Sequence, residues 1–388
     1  MIRRSDAMAR TTARGLLALG VVVLAACAAP AQQRPAVPAP SPANQEPAPP
    51  PAPVRAAPTR PAHLWGFTRL QGEDYVSLAE LAEHFDYRAA WVRPGLARTL
   101  ADKSGVRWKF ETNQRDCYFD GVRVFLSLPA VLHRGELWVG RLDVIKTLAP
   151  LMRPEAHAAQ LPEPPRVVVL DPGHGGTDPG KQNLRLKLDE KDMTLDVALR
   201  LRKILEARGY TVLMTRTTDT RFANSPAVDL PLRAEVANKA KADLFLSIHF
   251  NAVDPRDAQR VSGSETYVLT PQFMVSTQPE SDKSMIPVQN PGNRQDVANV
   301  ILGYQLHRRL LGELKTSDRG FKRYRLAVLR TLNCPGALVE AAYLSNDTEA
   351  ARVATPEFRQ QIAEAIAAGV GDYAAMLAAL RPPPTQAK

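Results

Sequence analysis

His174 sits in the run Asp171-Pro172-Gly173-His174-Gly175-Gly176, where the glycines let the backbone turn sharply and leave the imidazole without a packing neighbour in sequence. Such a histidine is free to bind a ligand, or simply to make a surface hydrogen bond. Glu190 stands in Asp189-Glu190-Lys191-Asp192 at the start of a helical stretch. Its carboxylate either holds a ligand or only answers the helix macrodipole, a role that Asp189 and Asp192 would fill equally well. His249 closes the apolar strand Leu244-Phe245-Leu246-Ser247-Ile248, with Asn251 two residues on. Open α/β sheets place their ligands at that carboxyl edge, although a lone histidine there also suits a hydrogen-bonded core. Glu340 interrupts the apolar segments Ala337-Leu338-Val339 and Ala341-Ala342-Tyr343-Leu344. A carboxylate buried there needs a metal, a partner or a raised pKa. Two histidines and one glutamate are a recurrent set around catalytic zinc, leaving the fourth position for water and a further carboxylate to act as base.

The elements around these residues alternate between strand and helix. The Pro-rich break Leu161-Pro162-Glu163-Pro164-Pro165 leads into the strand Arg166-Val167-Val168-Val169-Leu170, ahead of the first histidine. Met193, Val197, Leu201 and Leu205 recur at four-residue spacing and Gly209 follows, so the pattern predicts a helix over 192–208, then a strand over 211–215. A helix around 231–241 precedes the His249 strand. Another strand is expected near 264–269, a long helix carries Val297, Ile301 and Tyr304, and the last core strand covers 337–344. Thr355 is placed as an N-cap with Pro356 at the first helical position of a closing helix, whose apolar face is Phe358, Ile362, Ile366 and Val370. The expected fold class is α/β, a mainly parallel, helix-covered sheet preceded by a small N-terminal α+β domain. Residues 217–230 and 271–294 are long, polar and rich in Pro, Ser and Gln, with no core contribution expected; they read as lids, cleft walls or disorder.

Taken in order, Asp171 to Gly176, Glu190 before a helix, Ser247-Ile248-His249-Phe250-Asn251-Ala252, and Leu338-Val339-Glu340 through Ser345-Asn346 resemble the zinc amidases of the amidase_3 family over roughly residues 166–378. That resemblance implies His174, Glu190 and His249 as ligands of Zn2+ and Glu340 as the catalytic acid/base. Leu232-Arg233, Ala237-Asn238 and Arg319-Gly320-Phe321-Lys322 then read as scaffold or substrate-cleft residues.

The chain ahead of this unit is built differently. Arg3, Arg4, Arg10 and Arg14 precede an apolar run from Gly15 to Leu24, too short to span a bilayer comfortably, and Leu24-Ala25-Ala26-Cys27 resembles the lipobox of bacterial lipoproteins. The expectation is a lipoprotein signal over 1–27 with Cys27 acylated, an ordinary secretory signal cleaved near Ala26 or Ala29 being the alternative. Ala28 after the cysteine leans toward the outer membrane. Residues 30–62 hold twelve prolines and almost no large apolar side chain, so 28–62 is expected to be a solvated Pro/Ala-rich linker. Residues 63–155 carry an extended start at Tyr75 to Leu78, helical spacing from Leu78 to Phe85, and short alternating strands such as Val122 to Leu126 after Asp120-Gly121. This pattern resembles the small stalk-like domain named after the copper amine oxidase N-terminal region. It implies an accessory module and no copper, since His63, His84 and His133 lack ligand spacing. The catalytic domain is assigned to 163–380 and a disordered tail to 381–388.

Composition narrows the partners. A formal net charge of +10 and a pI near 9.6 favour polyanionic surroundings such as an acidic cell wall or anionic lipid. Nucleic acid is not expected as a partner, because no Arg/Lys cluster sits beside stacking aromatics. Three cysteines, Cys27, Cys117 and Cys334, are too few and too scattered for a paired-cysteine zinc site; Cys117 and Cys334 could pair only if the two units dock closely. The expected function is hydrolysis of the amide between N-acetylmuramic acid and L-alanine of peptidoglycan, in wall remodelling or daughter-cell separation. The expected location is the periplasmic face of the cell envelope, with a protein activator possible. Alternatives are a catalytically silent wall-binding lipoprotein, and a zinc peptidase or deacetylase cutting another bond of the wall.

Overall fold

The computed structural model describes residues 66–278 and 283–381; Cys27, His63, the linker and residues 382–388 lie outside them. The N-terminal region opens with β1 (Thr68–Leu70), β2 (Glu73–Ser77) and α1 (Leu78–His84), whose start is fixed by the Ser77 hydroxyl accepting the Glu80 amide at 3.0 Å. An antiparallel meander follows in β3 (Arg88–Arg93), β4 (Ala97–Asp102), β5 (Gly105–Glu111), β6 (Asp116–Phe119) and β7 (Val122–Phe125). Alternation puts Trp108, Phe110, Cys117, Phe119, Val122 and Val124 on its buried face. Then come β8 (Val131–His133), β9 (Glu136–Gly140) and two helical turns, α2 (Arg141–Asp143) and α3 (Ala149–Met152).

The second half alternates as its periodicity suggests: β10 (Val167–Pro172), the short ribbon β11 (Gln182–Asn183) and β12 (Leu188–Asp189), α4 (Glu190–Ala207), β13 (Thr211–Met214), α5 (Pro226–Lys239) and β14 (Leu244–Asn251). It continues through β15 (Ser264–Val268), α6 (Asp296–Leu314), β16 (Asp318–Arg323), α7 (Ala327–Arg330), β17 (Gly336–Tyr343), α8 (Asp347–Val353) and α9 (Pro356–Ala379). Strands β13, β10, β14 and β17 are parallel, β15 runs antiparallel to β17, and β16 is parallel to β15. The α/β class with a helix-covered sheet is therefore what the chain adopts, parallel across β13, β10, β14 and β17 but mixed as a whole, because β15 turns antiparallel to β17.

The sheet does not stop at β16. Phe321 of β16 pairs in parallel register with Val124 of β7, giving one sheet of eleven strands in the order β13-β10-β14-β17-β15-β16-β7-β6-β5-β4-β3. On one face α4, α6 and α9 bury Val197, Leu201, Leu205, Leu306, Leu310, Ile362 and Ile366 in the same cluster as Trp108 and Phe110. On the other, α5 and α7 set Ala234, Ala237, Val328 and Leu329 against Val169, Phe245, Tyr267 and Leu338. Two expectations about loops need correction. Residues 226–230 already form the first turn of α5, with Asp229 buried. In the 271–294 segment, Met274, Ser276, Asn290 and Asn293 are buried, because Arg325 donates to the carbonyls of Pro271 (3.0 Å) and Met274 (2.8 Å) and ties the loop down. Cys117 and Cys334 are both buried and free.

Candidate metal centre

Strands β10, β14 and β17 lie side by side: His174 follows the end of β10, His249 stands near the end of β14, and Glu340 pairs with it from within β17. The turn after β10 needs unusual backbone: His174 has φ of 62°, Gly175 of 127° and Gly176 of 57°. Gly173 has no room for a side chain, since a Cβ there would run into the His249 ring, and at Gly180 (φ 66°) it would lie 2.6 Å from His174 Cδ2 and 2.7 Å from Glu190 Oε2. These glycines let backbone and imidazoles share one small space.

Glu190 is fully buried at the first residue of α4 and turns its carboxylate toward the histidines. Its Oε1 lies 3.1 Å from His174 Nε2 and 3.0 Å from His249 Nδ1, and accepts the Phe250 amide at 3.0 Å; Oε2 accepts the Lys181 amide at 2.8 Å. The two rings stand edge to face, 4.9 Å apart. One ligand atom from each of His174, Glu190 and His249 lies within 4.8 Å of the others. The two nitrogen-to-oxygen separations fall just under the ~3.3 Å edge of a tetrahedron whose centre is ~2.0 Å from each corner, so a small shift would admit a divalent ion of zinc's size. The donor set, two imidazoles and a carboxylate, suits the same ion.

Electrostatics agree. Burial alone would pull the His174 pKa down, but Glu190 and Asp178 outweigh it and push it up to about 10. Burial by itself would raise Glu190, yet His174 and His249 hold it well below the usual carboxylate range. The centre is thus built to hold positive charge, and binding of a metal would displace protons. Asp178 was not singled out by the sequence. Its Oδ2 accepts from His174 Nδ1 at 3.0 Å, which leaves Nε2 facing Glu190. Its position four residues after His174, across a Gly-Gly turn, is the only signal that could have found it.

Glu340 is the register partner of His249 on β14 and of Glu265 on β15, so the three side chains share one face of the sheet. Glu340 is 9% exposed, and its Oε2 is buried with no hydrogen-bond partner. Burial, Glu190 and Glu265 together drive its pKa well up. Glu265, also missed by the sequence, accepts from Lys322 (Nζ to Oε1, 2.7 Å), Asn251 (3.0 Å), Tyr267 and Tyr343, and against the cost of burial Lys322 and the tyrosines hold its pKa below the usual carboxylate value. Beneath the turn, Asp171 accepts from Arg233 (2.9 Å), Thr215 (2.7 Å) and Ser247 (2.8 Å), and Arg233 reaches the His174 carbonyl at 2.7 Å. Arg233 is therefore scaffold for the turn. Of the remaining histidines, His84 and His133 lie outside the centre, in the N-terminal region.

Residues 168–372 match the Amidase_3 family, described as N-acetylmuramoyl-L-alanine amidase. The germination-specific N-acetylmuramoyl-L-alanine amidase of Bacillus subtilis (strain 168) is 32% identical over 222 residues, covering 55% of this chain and 81% of that protein. The N-acetylmuramoyl-L-alanine amidase AmiC of Escherichia coli O6:H1 is 33% identical over 230 residues, covering 54% of this chain and 53% of the relative. Among solved structures, the N-acetylmuramoyl-L-alanine amidase AmiC2 of Nostoc punctiforme aligns with a TM-score of 0.43 and 31% identity, over 53% of this chain and 96% of that one. The share of a relative's length that this chain spans varies, from 35% of a cell wall amidase of Bacillus anthracis to the 81% of the germination-specific amidase.

Proposed function

The chain belongs to the Amidase_3 family of N-acetylmuramoyl-L-alanine amidases, and from that premise we propose that it is a zinc-dependent peptidoglycan hydrolase cleaving the amide between N-acetylmuramic acid and the L-alanine of the stem peptide. One observation carries the reading: a buried carboxyl, Glu340, with an unpartnered oxygen shares a sheet face with His249, next to the His174–Glu190–His249 cluster. His174, Glu190 and His249 would hold the metal, which when bound supplies a Lewis acid for the amide carbonyl and acidifies a water. Asp178 fixes the His174 tautomer and ring orientation. Glu340 takes the proton of the attacking water and gives it to the departing L-alanine amine. Burial, Glu190 and Glu265 raise its affinity for a proton, which suits a carboxylate that must take one from water, and the positive charge of a bound metal would offset that rise so that the ionised form starts the cycle. We further assign Cys27 as the lipid-modified first residue of the mature chain, with 28–62 as the tether that holds the enzyme at the periplasmic side of the envelope.

The test is mass analysis of purified peptidoglycan digested by the zinc-loaded protein. Intact glycan chains and stem peptides with a free L-alanine amine are expected. New reducing ends, cleavage within the stem, or deacetylated glycan would each replace this reading with another, and no release at all would leave a wall-binding protein.

A further inference from the structure

On the far side of β10 from His249, Thr215, Arg216, Thr220, Arg221, Phe222 and Arg233 line a cavity of about 60 Å³. At ~30 Å³ per water in the liquid, it has room for two waters or one carboxylate-sized group. Three guanidiniums face it, and two are fully engaged. Arg216 donates to the carbonyls of Pro172 (3.0 Å), Thr218 (3.2 Å), Gly173 (2.8 Å) and Lys191 (2.7 Å). Arg233 is held by Asp229 at 2.6 Å and by Asp171 at 2.9 Å.

Arg221 differs from both. Its side chain is 10% exposed, its Nε is buried without a hydrogen-bond partner, and the nearest carboxylate oxygen, Asp229 Oδ1, stands 3.9 Å away. That oxygen already accepts the amides of Phe222 (2.9 Å) and Ala223 (3.3 Å), while Asp229 Oδ2 is taken by Arg233. A guanidinium removed from water without a hydrogen-bonded counter-ion is costly, and its planar fork matches a carboxylate or a phosphate. Asp171 and Asp229, the carboxylates beside Arg233, are taken up by Arg233, Thr215, Ser247 and two backbone amides, so neither closes a hydrogen bond on Arg221. The cavity also adjoins the catalytic turn: a Cβ at Gly176 would lie 3.2 Å from Arg221 Cγ, and Arg233 bonds the His174 carbonyl.

We propose that Arg221, framed by Arg216 and Arg233, forms an oxyanion-binding pocket that takes a carboxylate-class or phosphate-class group beside the His174 turn. The group comes from the stem peptide, which ends in a carboxylate, or from a free inorganic anion; the first source rests on the amidase reading and the second does not.

The full chain, stripped of metal by chelation so that phosphate cannot bind zinc, is titrated with inorganic phosphate by calorimetry, alongside Arg221→Gln and Arg221→Lys. The wild type binds, Arg221→Gln weakens binding about tenfold or more, and Arg221→Lys lies between. In parallel, KM is measured on zinc-loaded protein for muropeptides with free or amidated carboxylates. A KM that rises about tenfold in Arg221→Gln for the free form, and less for the amidated one, identifies the stem peptide as source. A loss of phosphate binding with no such difference identifies a free anion. Should Arg221→Gln lose its native circular dichroism, the lysine variant decides, and it must bind more weakly than the wild type. Phosphate binding that is undetectable in the wild type, or equal in all folded variants, overturns the proposal. The phosphate titration needs no turnover, so it fails or succeeds independently of the amidase assignment.

Discussion

The roles proposed for Glu340 and the histidines are ones that single substitutions separate. Glu340→Gln keeps the size of the side chain and removes its proton-transfer capacity, so zinc content should stay near that of the wild type while peptidoglycan turnover falls about 10²–10⁴-fold. His174→Ala should lose both, because it removes one of the three residues proposed to hold the metal and leaves Asp178 without its partner. Zinc per chain and the rate of stem-peptide release, measured on the same preparations, distinguish the two; a Glu340→Gln enzyme with normal turnover removes Glu340 from the mechanism. The glycines are equally diagnostic. Gly180 has φ of 66°, and a methyl there would press on His174 and Glu190. Gly180→Ala should therefore lose zinc occupancy with little change in the far-ultraviolet circular dichroism, whereas Gly209→Ala, with open space around its Cβ, should keep its zinc.

Strand ends and helix starts position these residues, and their legibility in the sequence follows from how local the signals are. The four-residue spacing of Met193, Val197, Leu201 and Leu205 is enough to place α4, and Thr355 does cap α9, its hydroxyl accepting the Phe358 amide at 3.3 Å. The same local signals put His174 and His249 at strand ends, Glu190 at a helix start and Glu340 within the last core strand, where the fold gathers them. Asp178 has only its four-residue spacing from His174, while Glu265 and Arg221 have no such signal, since what marks Glu265 is Lys322 and Tyr343, far away in sequence, and what marks Arg221 is a missing partner. The polar loop 271–294 misleads for the same reason. It is held by arginines from elsewhere, Arg325 after β16 and Arg115 before β6, whose Nη2 meets the Ser276 carbonyl at 2.9 Å. Asp143 stands among the arginines of this region, accepting the Ser127 amide at 2.6 Å and the Leu128 amide at 3.1 Å. Burial lifts its pKa from 3.8 to about 6, against the pull of those amides, Arg323 and Arg115. A carboxyl raised on folding contributes its stability below the unfolded value and loses it as pH rises through the folded one, so the loss falls between about pH 4 and pH 7. At ~1.36 kcal/mol per pKa unit, the wild type should lose about 1–3 kcal/mol across that window relative to Asp143→Asn. Denaturant midpoints of both proteins at pH 4, 5, 6 and 7 give the difference directly, and parallel profiles would exclude Asp143 as the titrating group.

At the scale of the whole molecule, the Pro-rich break at 161–165 has no counterpart in the sheet, which runs from β13 to β3 without an edge at β16. The seam is polar as well as apolar. Arg123 gives its amide to Asp318 Oδ2 at 2.7 Å, Lys146 pairs with Asp296 at 3.1 Å, and Val275 donates to the Ser127 hydroxyl at 3.0 Å. Tyr304 of α6 packs on Phe119 with ring centroids 5.0 Å apart, and Phe125 fills the space beside Gly320. Cutting the chain at residue 161 would uncover Phe321 and Tyr304, each worth ~1.5–3 kcal/mol of burial, and would leave β16 as a bare edge strand. Glu265 of β15 is the register partner of Glu340 and is held by Lys322 of β16, so loosening of β16 should reach the reaction. The chain 161–388 should therefore melt well below the full protein, self-associate on size exclusion, and turn over peptidoglycan more slowly even when it binds zinc normally. A fragment that is monomeric, equally stable and equally active would show that the N-terminal strands merely dock on a catalytic unit that is complete without them.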